Sequence, residues 1–175
     1  MRFFPLLIIG MAGLMSSGCG KSASTQAALD NTNSTNALPV QAQARLPVLK
    51  LWLGPQELSA EVAQTLVQIQ TGMMFRTNIN EGEGMIFILP YPQQAAFWMK
   101  NCIVPLSVAY IDPDGTIREI HDLQPGNTNS VFSASENIRY ALETSQGWFD
   151  RNRISTGVVV RTERGSLTET FLGRR

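Results

Sequence analysis

The feature that most constrains the fold is a turn signal near the middle of the chain. Two stretches rich in strand-forming residues, 106–111 and 116–121, lie on either side of the tetrapeptide Asp112-Pro113-Asp114-Gly115. Proline presets the φ angle that a tight turn requires, and glycine adopts positive φ without strain. The pattern therefore predicts two antiparallel strands joined by a turn, so that at least part of the chain forms an antiparallel sheet.

Further strand patterns lie on both sides of this hairpin. Residues 48–53 and 57–63 are separated by the break Gly54-Pro55-Gln56 and predict an opening hairpin. The run 85–89 is apolar at every position, which predicts a central strand covered on both faces. Additional strands are predicted over 95–100, 139–144 and 157–161, and short helices over 65–73 and 146–153.

Together these elements predict an α+β fold that is dominated by strands. We expect a small, partly closed β-barrel of mixed or antiparallel strands, with one or two short helices. Residues 47–162 are enough for one hydrophobic core but not for two, so we expect a single, monomeric β-rich domain. The segment 163–175 is predicted to be a polar C-terminal tail.

The N-terminal residues have the layout of a signal peptide. A positive start at Met1-Arg2 precedes an apolar run from Phe3 to Met15, followed by the small residues Ser16-Ser17-Gly18. The apolar run is shorter than the roughly 20 residues that a membrane-spanning helix needs. Cys19 then stands where the cleavage box of bacterial lipoproteins places its lipid-modified cysteine. We predict a signal peptide over 1–18 and lipidation at Cys19, with ordinary secretion as the alternative.

The segment 19–46 is predicted to be the lipidated cysteine and a disordered tether. It is rich in Ser, Thr, Asn, Gln and Ala and has no apolar periodicity, so it cannot bury enough surface to become ordered. The protein is therefore expected to be exported, with the membrane as its partner through the lipid at Cys19. By resemblance to Gram-negative lipoproteins, Gly20 after the cysteine indicates the periplasmic face of the outer membrane.

Composition excludes several functional classes. Lys and Arg number 14, as do Asp and Glu, so the charge does not favour nucleic acid as a partner. Two cysteines and one histidine are too few for a typical zinc site, and we expect no metal and no cofactor. The methionines at 73, 74, 85 and 99 could bind a soft metal. Their positions in apolar runs favour core packing instead.

Several strings, dispersed along the chain in a fixed order, carry a family resemblance. They are Thr71-Gly72-Met73-Met74-Phe75-Arg76, Gly84-Met85-Ile86-Phe87, Phe97-Trp98-Met99-Lys100-Asn101 and Arg139-Tyr140-Ala141-Leu142-Glu143. The chain resembles the domain of unknown function 192 family, also called uncharacterised protein family 0127, over residues 49–161. The resemblance implies a small, strand-dominated α+β fold, often exported, whose activity is not established. One departure is Cys102, where the family commonly has threonine, so a reactive thiol there would not be a family trait.

A candidate ligand site follows from the string around Trp98. Alternation along a strand would place Trp98, Lys100 and Cys102 on one face. A cation beside an aromatic wall suits a carboxylate or a phosphate, and the guanidinium of Arg76 could grip the same group with two hydrogen bonds. The candidate binding residues are Arg76, Trp98, Lys100, Asn101, Asp112 and Glu143.

The same charges could instead serve only the fold. Lys100 would then pair with Asp112 or Glu143, and Arg76 would pair with Glu143, whose position in a strand requires that its charge be compensated or exposed. Sequence spacing leaves both interpretations open.

Three functional hypotheses remain at this point. The favoured one is a non-enzymatic envelope module that binds a small anionic or sugar-like ligand, or a partner protein. The second is a hydrolase that acts on envelope material and uses His121 with a carboxylate or with Cys102. The third is a structural or assembly factor without a ligand. No assembled catalytic set is visible in the sequence, so the catalytic residues stay unassigned.

Overall fold

The structure is a computed structural model that describes residues 39–173. The predicted signal peptide over 1–18, the predicted lipidation site Cys19 and the first part of the predicted tether lie outside the described residues. Within residues 39–173, no helix is both long enough and apolar enough to span a membrane.

The described residues form ten strands and three short helices. The strands are β1 (Val48–Leu53), β2 (Gln56–Ala63), β3 (Glu83–Gln93), β4 (Ala96–Phe97), β5 (Leu106–Ile111), β6 (Ile117–Leu123), β7 (Val131–Phe132), β8 (Ile138–Ser145), β9 (Val160–Thr162) and β10 (Gly165–Ser166). The helices are α1 (Leu66–Thr71), α2 (Trp148–Arg151) and α3 (Leu167–Phe171).

Eight of these strands form one mixed sheet, in the order β10-β9-β1-β2-β3-β8-β5-β6, while β4 pairs only with β7. The pair β2 and β3 is parallel and is connected through α1; the other neighbours in the sheet are antiparallel. The predicted α+β, strand-dominated fold is confirmed.

The predicted barrel is realised only in part. The start of β6 approaches β9 through a single antiparallel bridge between Thr116 and Val159. The backbone N–H of Val160 also donates to the carbonyl of Gly115 at 2.8 Å. Among residues 39–173 no continuous strand pairing joins β6 to the β9–β10 end of the sheet, so the sheet does not close.

The central hairpin has the predicted form. β5 and β6 pair in antiparallel register, with Val108 opposite His121. In the turn, the carboxylate of Asp112 accepts hydrogen bonds from the backbone N–H groups of Asp114 and Thr116, and Gly115 has a φ of 85°. The side chain of Asp112 thus stabilises the turn itself, as an aspartate at this position commonly does.

Strand β3 separates two hydrophobic cores. Ile86 and Ile88 point into the first core, which α2 and α3 cover, whereas Met85 and Phe87 point into the second core. This alternation follows from the two-residue period of a strand and confirms the predicted central strand. The strand is longer than predicted, because it continues to Gln93 through an irregularity in its pairing with β8.

Helix α1 begins with a capping box. The hydroxyl of Thr65 accepts from the backbone N–H of Gln68, and the side chain of Gln68 accepts from the backbone N–H of Thr65. This arrangement satisfies N–H groups that a helix start leaves unpaired. The prediction of a short helix here is confirmed, although the helix ends at Thr71 and Gly72 takes a φ of 47°.

The end of the predicted tether is attached to the domain. The amide of Gln43 donates to the carbonyls of Gln68 and Gly72, at 3.2 and 2.9 Å. The backbone N–H of Leu46 donates to the carboxylate of Glu61 at 2.8 Å. The chain is therefore bound to α1 and β2 before β1 begins, and residues 43–46 are not the free chain that the composition predicts.

Two local predictions are wrong. The predicted strand over 95–100 reduces to β4, because the backbone N–H of Cys102 donates to the carbonyl of Met99 in a turn and Asn101 takes a φ of 60°. The predicted polar tail over 163–175 contains β10 and α3, because Leu167 is fully buried in the first core and Phe171 packs against it.

Candidate functional site

A cavity of about 430 Å³ opens between α1, the loop that follows it, and the segment from the second half of β3 to Trp98. Its volume lies in the range typical of small-molecule sites. The walls are mostly apolar and include Ile69, Met73, Met74, Phe87, Leu89, Ala95, Phe97 and Trp98.

Glu143 contributes a carboxyl group to this cavity. It lies on β8 between Met85 of β3 and Val108 of β5, on the face that carries the second core. Strand alternation thus turns it toward apolar neighbours, and it is only 3% exposed. No residue between 39 and 173 donates a hydrogen bond to its carboxyl group.

Burial raises the pKa of Glu143 from 4.5 to about 8. Desolvation destabilises the charged form of a carboxyl group, and within the described chain no cation offsets this effect. At neutral pH the group is therefore mainly protonated. It is a neutral acid that faces a cavity and has no hydrogen-bond or ion-pair partner among residues 39–173.

Two further titratable groups lie close enough to sense the charge of Glu143. Burial first, and then the negative charge of Glu143, raise the pKa of the Cys102 thiol to about 12. The same two effects raise the pKa of Tyr110, whose hydroxyl donates to the carbonyl of Val131. Cys102 lines the cavity but is a protonated thiol at neutral pH, which is a weak nucleophile.

His121 makes other contacts. Its Nε2 lies 3.0 Å from a carboxylate oxygen of Glu119, and its ring packs against that of Tyr110 with 5.5 Å between centroids. In the described chain no hydrogen bond joins it to Cys102. The hypothesis that His121 acts together with Cys102 is therefore not supported by a direct contact.

Trp98 and Lys100 come together, although not by strand alternation. The ammonium of Lys100 lies 5.4 Å from the centre of the Trp98 ring, in the turn after β4. Trp98 lines the cavity, whereas Lys100 is not among the wall residues. The neighbouring Asn101 connects this turn to the loop after α1, because its carbonyl accepts from the backbone N–H of Phe75 at 2.8 Å.

Arg76 belongs to a separate ion-pair group. Its guanidinium lies 2.9 Å from a carboxylate oxygen of Glu61, and Arg45 lies 3.2 Å from the other oxygen. These residues line a small groove beside β2, not the cavity. The candidate pair of Arg76 with Glu143 is thus replaced by a pair with Glu61, a buried acid on a strand that is otherwise mostly apolar.

Asp112 also lies apart from the cavity, in the turn between β5 and β6, where it is 3.8 Å from Arg118. Of the six candidate binding residues, two line the cavity directly, namely Trp98 and Glu143. Sequence reasoning missed the walls from α1 and from residues 89–96. Two signals in the sequence point to the cavity, namely the acid Glu143 in an apolar strand and the aromatic Trp98 in the family string.

The described residues include no cluster of three or more His, Cys, Asp or Glu side chains that could hold a metal ion. Met73, Met74 and Cys102 do line the cavity together, but all three are buried members of the second core.

Comparison with known proteins identifies the family of this chain. Residues 50–162, more than half of the chain, match the family model DUF192, described as uncharacterised ACR. The chain belongs to the DUF192 family. The predicted resemblance is confirmed, and the match covers every strand of the main sheet except β10 in whole or in large part.

Solved structures share the DUF192 fold. One, from Sinorhizobium meliloti 1021, is named as a candidate transcription regulator; it is 28% identical with a TM-score of 0.66, over 69% of this chain and 98% of that one. Another, from Novosphingobium aromaticivorans DSM 12444, is a protein of unknown function; it is 27% identical with a TM-score of 0.63, over 72% and 94% of the two chains. No curated protein matches the chain.

Proposed function

We propose that this DUF192 protein is a non-catalytic binding module of the cell envelope, which holds a small organic molecule in the cavity above Glu143. The observation that carries the proposal is a mostly apolar cavity lined by a buried carboxyl group that has no hydrogen-bond partner within the described part of the chain. Buried polar groups are normally satisfied, and one that faces an open cavity marks a place for a ligand.

The cavity favours a ligand with an apolar body and one polar group. The cations expected to bind an anion do not line it: Arg76 pairs with Glu61, and Lys100 lies beside Trp98 outside the wall. An anionic ligand would therefore meet a buried acid and no compensating charge. The cavity therefore favours a neutral or positively charged ligand over the anionic ligand that the sequence suggests.

Binding is better supported than catalysis. A hydrolase would need an activated nucleophile or base in the cavity, and the Cys102 thiol is protonated at neutral pH because its pKa is raised to about 12. The envelope location rests on the signal peptide and on Cys19, which are read from the sequence. A role as an assembly factor without a ligand is the alternative that the following experiment separates.

The test is ligand-induced thermal stabilisation of the full chain by a panel of small amphiphilic compounds. Compounds that bind should raise the melting temperature of the parent, since a ligand that binds only the folded state stabilises it. Ala96 lines the cavity and is exposed, so Ala96→Trp should fill the mouth and abolish the shift. Ala134→Trp, at an exposed position outside the cavity, is the matched control and should keep it.

If no compound stabilises the parent, or if Ala96→Trp responds like Ala134→Trp, the cavity is not a binding site. The assembly-factor alternative would then be favoured.

A further inference from the structure

We propose that the cavity recognises the ammonium group of a small apolar amine, with the carboxylate of Glu143 as its charged partner. This inference rests on the proposed function, because it requires that the cavity hold a small molecule. It names the chemical class of that molecule.

The first argument is charge complementarity. Among the described residues that line the cavity, Glu143 is the one with an ionisable carboxyl group, and neither lysine nor arginine is present in the wall. A cation placed there would satisfy the acid without competition from a protein cation. An ammonium group donates up to three hydrogen bonds, and the carboxylate oxygens have no other donor among residues 39–173.

The second argument is the composition of the walls. Phe87 and Phe97 meet edge to face with 4.9 Å between ring centroids, and Trp98 lines the same cavity. Aromatic rings attract cations through their electron-rich faces, and the thioethers of Met73 and Met74 are soft and polarizable. The same surfaces accommodate an apolar body. One cavity thus offers both parts of an amphiphilic amine their preferred surroundings.

The third argument is the protonation balance. The pKa of Glu143 is about 8, so the unoccupied site holds a carboxylic acid at pH 7. When a protonated amine binds, the acid proton leaves to solvent and a carboxylate–ammonium pair forms; no covalent bond to carbon changes. The titratable groups that sense this charge, Cys102 and Tyr110, stay neutral because burial first, and then the charge of Glu143, raise the pKa of both.

This balance predicts a distinctive pH dependence. Because one proton is released for each amine bound, the dissociation constant should fall by roughly tenfold per pH unit between about pH 6 and pH 7.5, and level off above about pH 8. A neutral ligand would show the opposite trend if it needed the protonated acid, and no trend if it did not contact Glu143.

The experiment is isothermal titration calorimetry of the full chain with three compounds that share one body: 3-phenylpropylamine, 3-phenylpropan-1-ol and 3-phenylpropanoate. The amine should bind most tightly at pH 8. At pH 7, titrations in two buffers of different ionisation enthalpy should show the release of close to one proton. Glu143→Gln should weaken amine binding about 30-fold or more. Glu136→Gln, which changes an exposed acid outside the cavity, should leave it unchanged.

The outcomes separate the two proposals. If 3-phenylpropan-1-ol or 3-phenylpropanoate binds as tightly as 3-phenylpropylamine, or if amine binding to the parent releases no proton, the amine inference is overturned while the binding module stands. If none of the three binds while compounds of the thermal-stabilisation panel do, the amine inference is overturned and the binding module stands; if the panel also fails, the proposed function falls and the inference falls with it. The proton-release measurement uses the parent protein alone, so the inference stays testable even if Glu143→Gln does not fold.

Discussion

Replacing Glu143 by glutamine should remove a pH-dependent loss of stability from this domain. The carboxyl group has a pKa of about 8 in the folded protein because burial disfavours its charged form, and a pKa near the ordinary 4.5 once the chain unfolds. Below about pH 4.5 the group is protonated in both states. Between the two values the folded state holds a proton that the unfolded state has lost, so stability falls as pH rises and stops falling above about pH 8.

The magnitude follows from the two pKa values. A difference of one pH unit corresponds to about 1.36 kcal/mol, so the change from 4.5 to about 8 amounts to at most about 5 kcal/mol of unfolding free energy. Between pH 5.5 and pH 7.5 this one group should lower the unfolding free energy by roughly 2 to 3 kcal/mol. Glutamine has nearly the same shape and never ionises, so the variant should lack this term entirely.

The assay is urea denaturation of the parent and of Glu143→Gln at half-unit steps between pH 5 and pH 9. Subtracting one stability curve from the other cancels the titrating groups that do not sense the charge of Glu143. The unfolding free energy of Glu143→Gln minus that of the parent should increase by about 1.4 kcal/mol for each pH unit until about pH 8. Glu136→Gln, at an exposed position, should give a flat difference. Parallel curves for the parent and Glu143→Gln would refute the reasoning, because the acid would then be solvated or paired.

Three further outcomes follow from other parts of the molecule. Arg76→Ala should lower the unfolding free energy by about 3 kcal/mol in urea titrations, because the buried Glu61 loses its closer cation and keeps the half-exposed Arg45 and the backbone N–H of Leu46. Lys50→Ala, at a surface pair, should cost nothing measurable. Cys102 should resist alkylation by iodoacetamide at pH 8 in the native protein and react fully in urea; rapid native labelling would contradict its burial. Cys19→Ala should move the protein from the membrane to the soluble fraction, and continued membrane association would place the anchor elsewhere.

The parts of the fold that were predictable are encoded locally. The turn at 112–115 carries its own proline, glycine and capping aspartate, and Thr65 with Gln68 fixes the start of α1. The run 85–89 has no polar position, so it had to be covered on both sides. In the turn and at the helix start, neighbours in sequence supply both partners of the decisive contact, whereas in the run 85–89 the apolar pattern itself indicates burial.

The predictions that were wrong concern segments whose contacts are made with residues distant in sequence. The turn at 98–101 is held by the backbone N–H of Met99, which donates to the carbonyl of Asn127, and no pattern near residue 99 announces that contact. Arg76 has its partner on β2, 15 residues earlier in the chain. The composition of the tail predicts a polar segment. The burial of Leu167 depends on a first core assembled from remote strands, which the composition of the tail does not reveal.

The candidate site was predictable only in its chemistry. Glu143 is a candidate because an acid in an apolar strand requires an explanation. Trp98 is a candidate because it belongs to one of the strings that indicate the family. Their convergence on one cavity depends on how α1 and the segment 89–98 pack over the sheet, which spacing along the chain does not determine.

The connection through α1 between the parallel strands β2 and β3 has a consequence for how such proteins diverge. Parallel neighbours require a long crossover, and this crossover supplies one wall of the cavity, whereas the acid belongs to the sheet. Insertions or substitutions in the crossover can therefore reshape the opening while the hydrogen-bonded framework and its carboxyl group stay in place. Under the proposed function, selection could change ligand preference through the crossover and preserve the fold through the sheet.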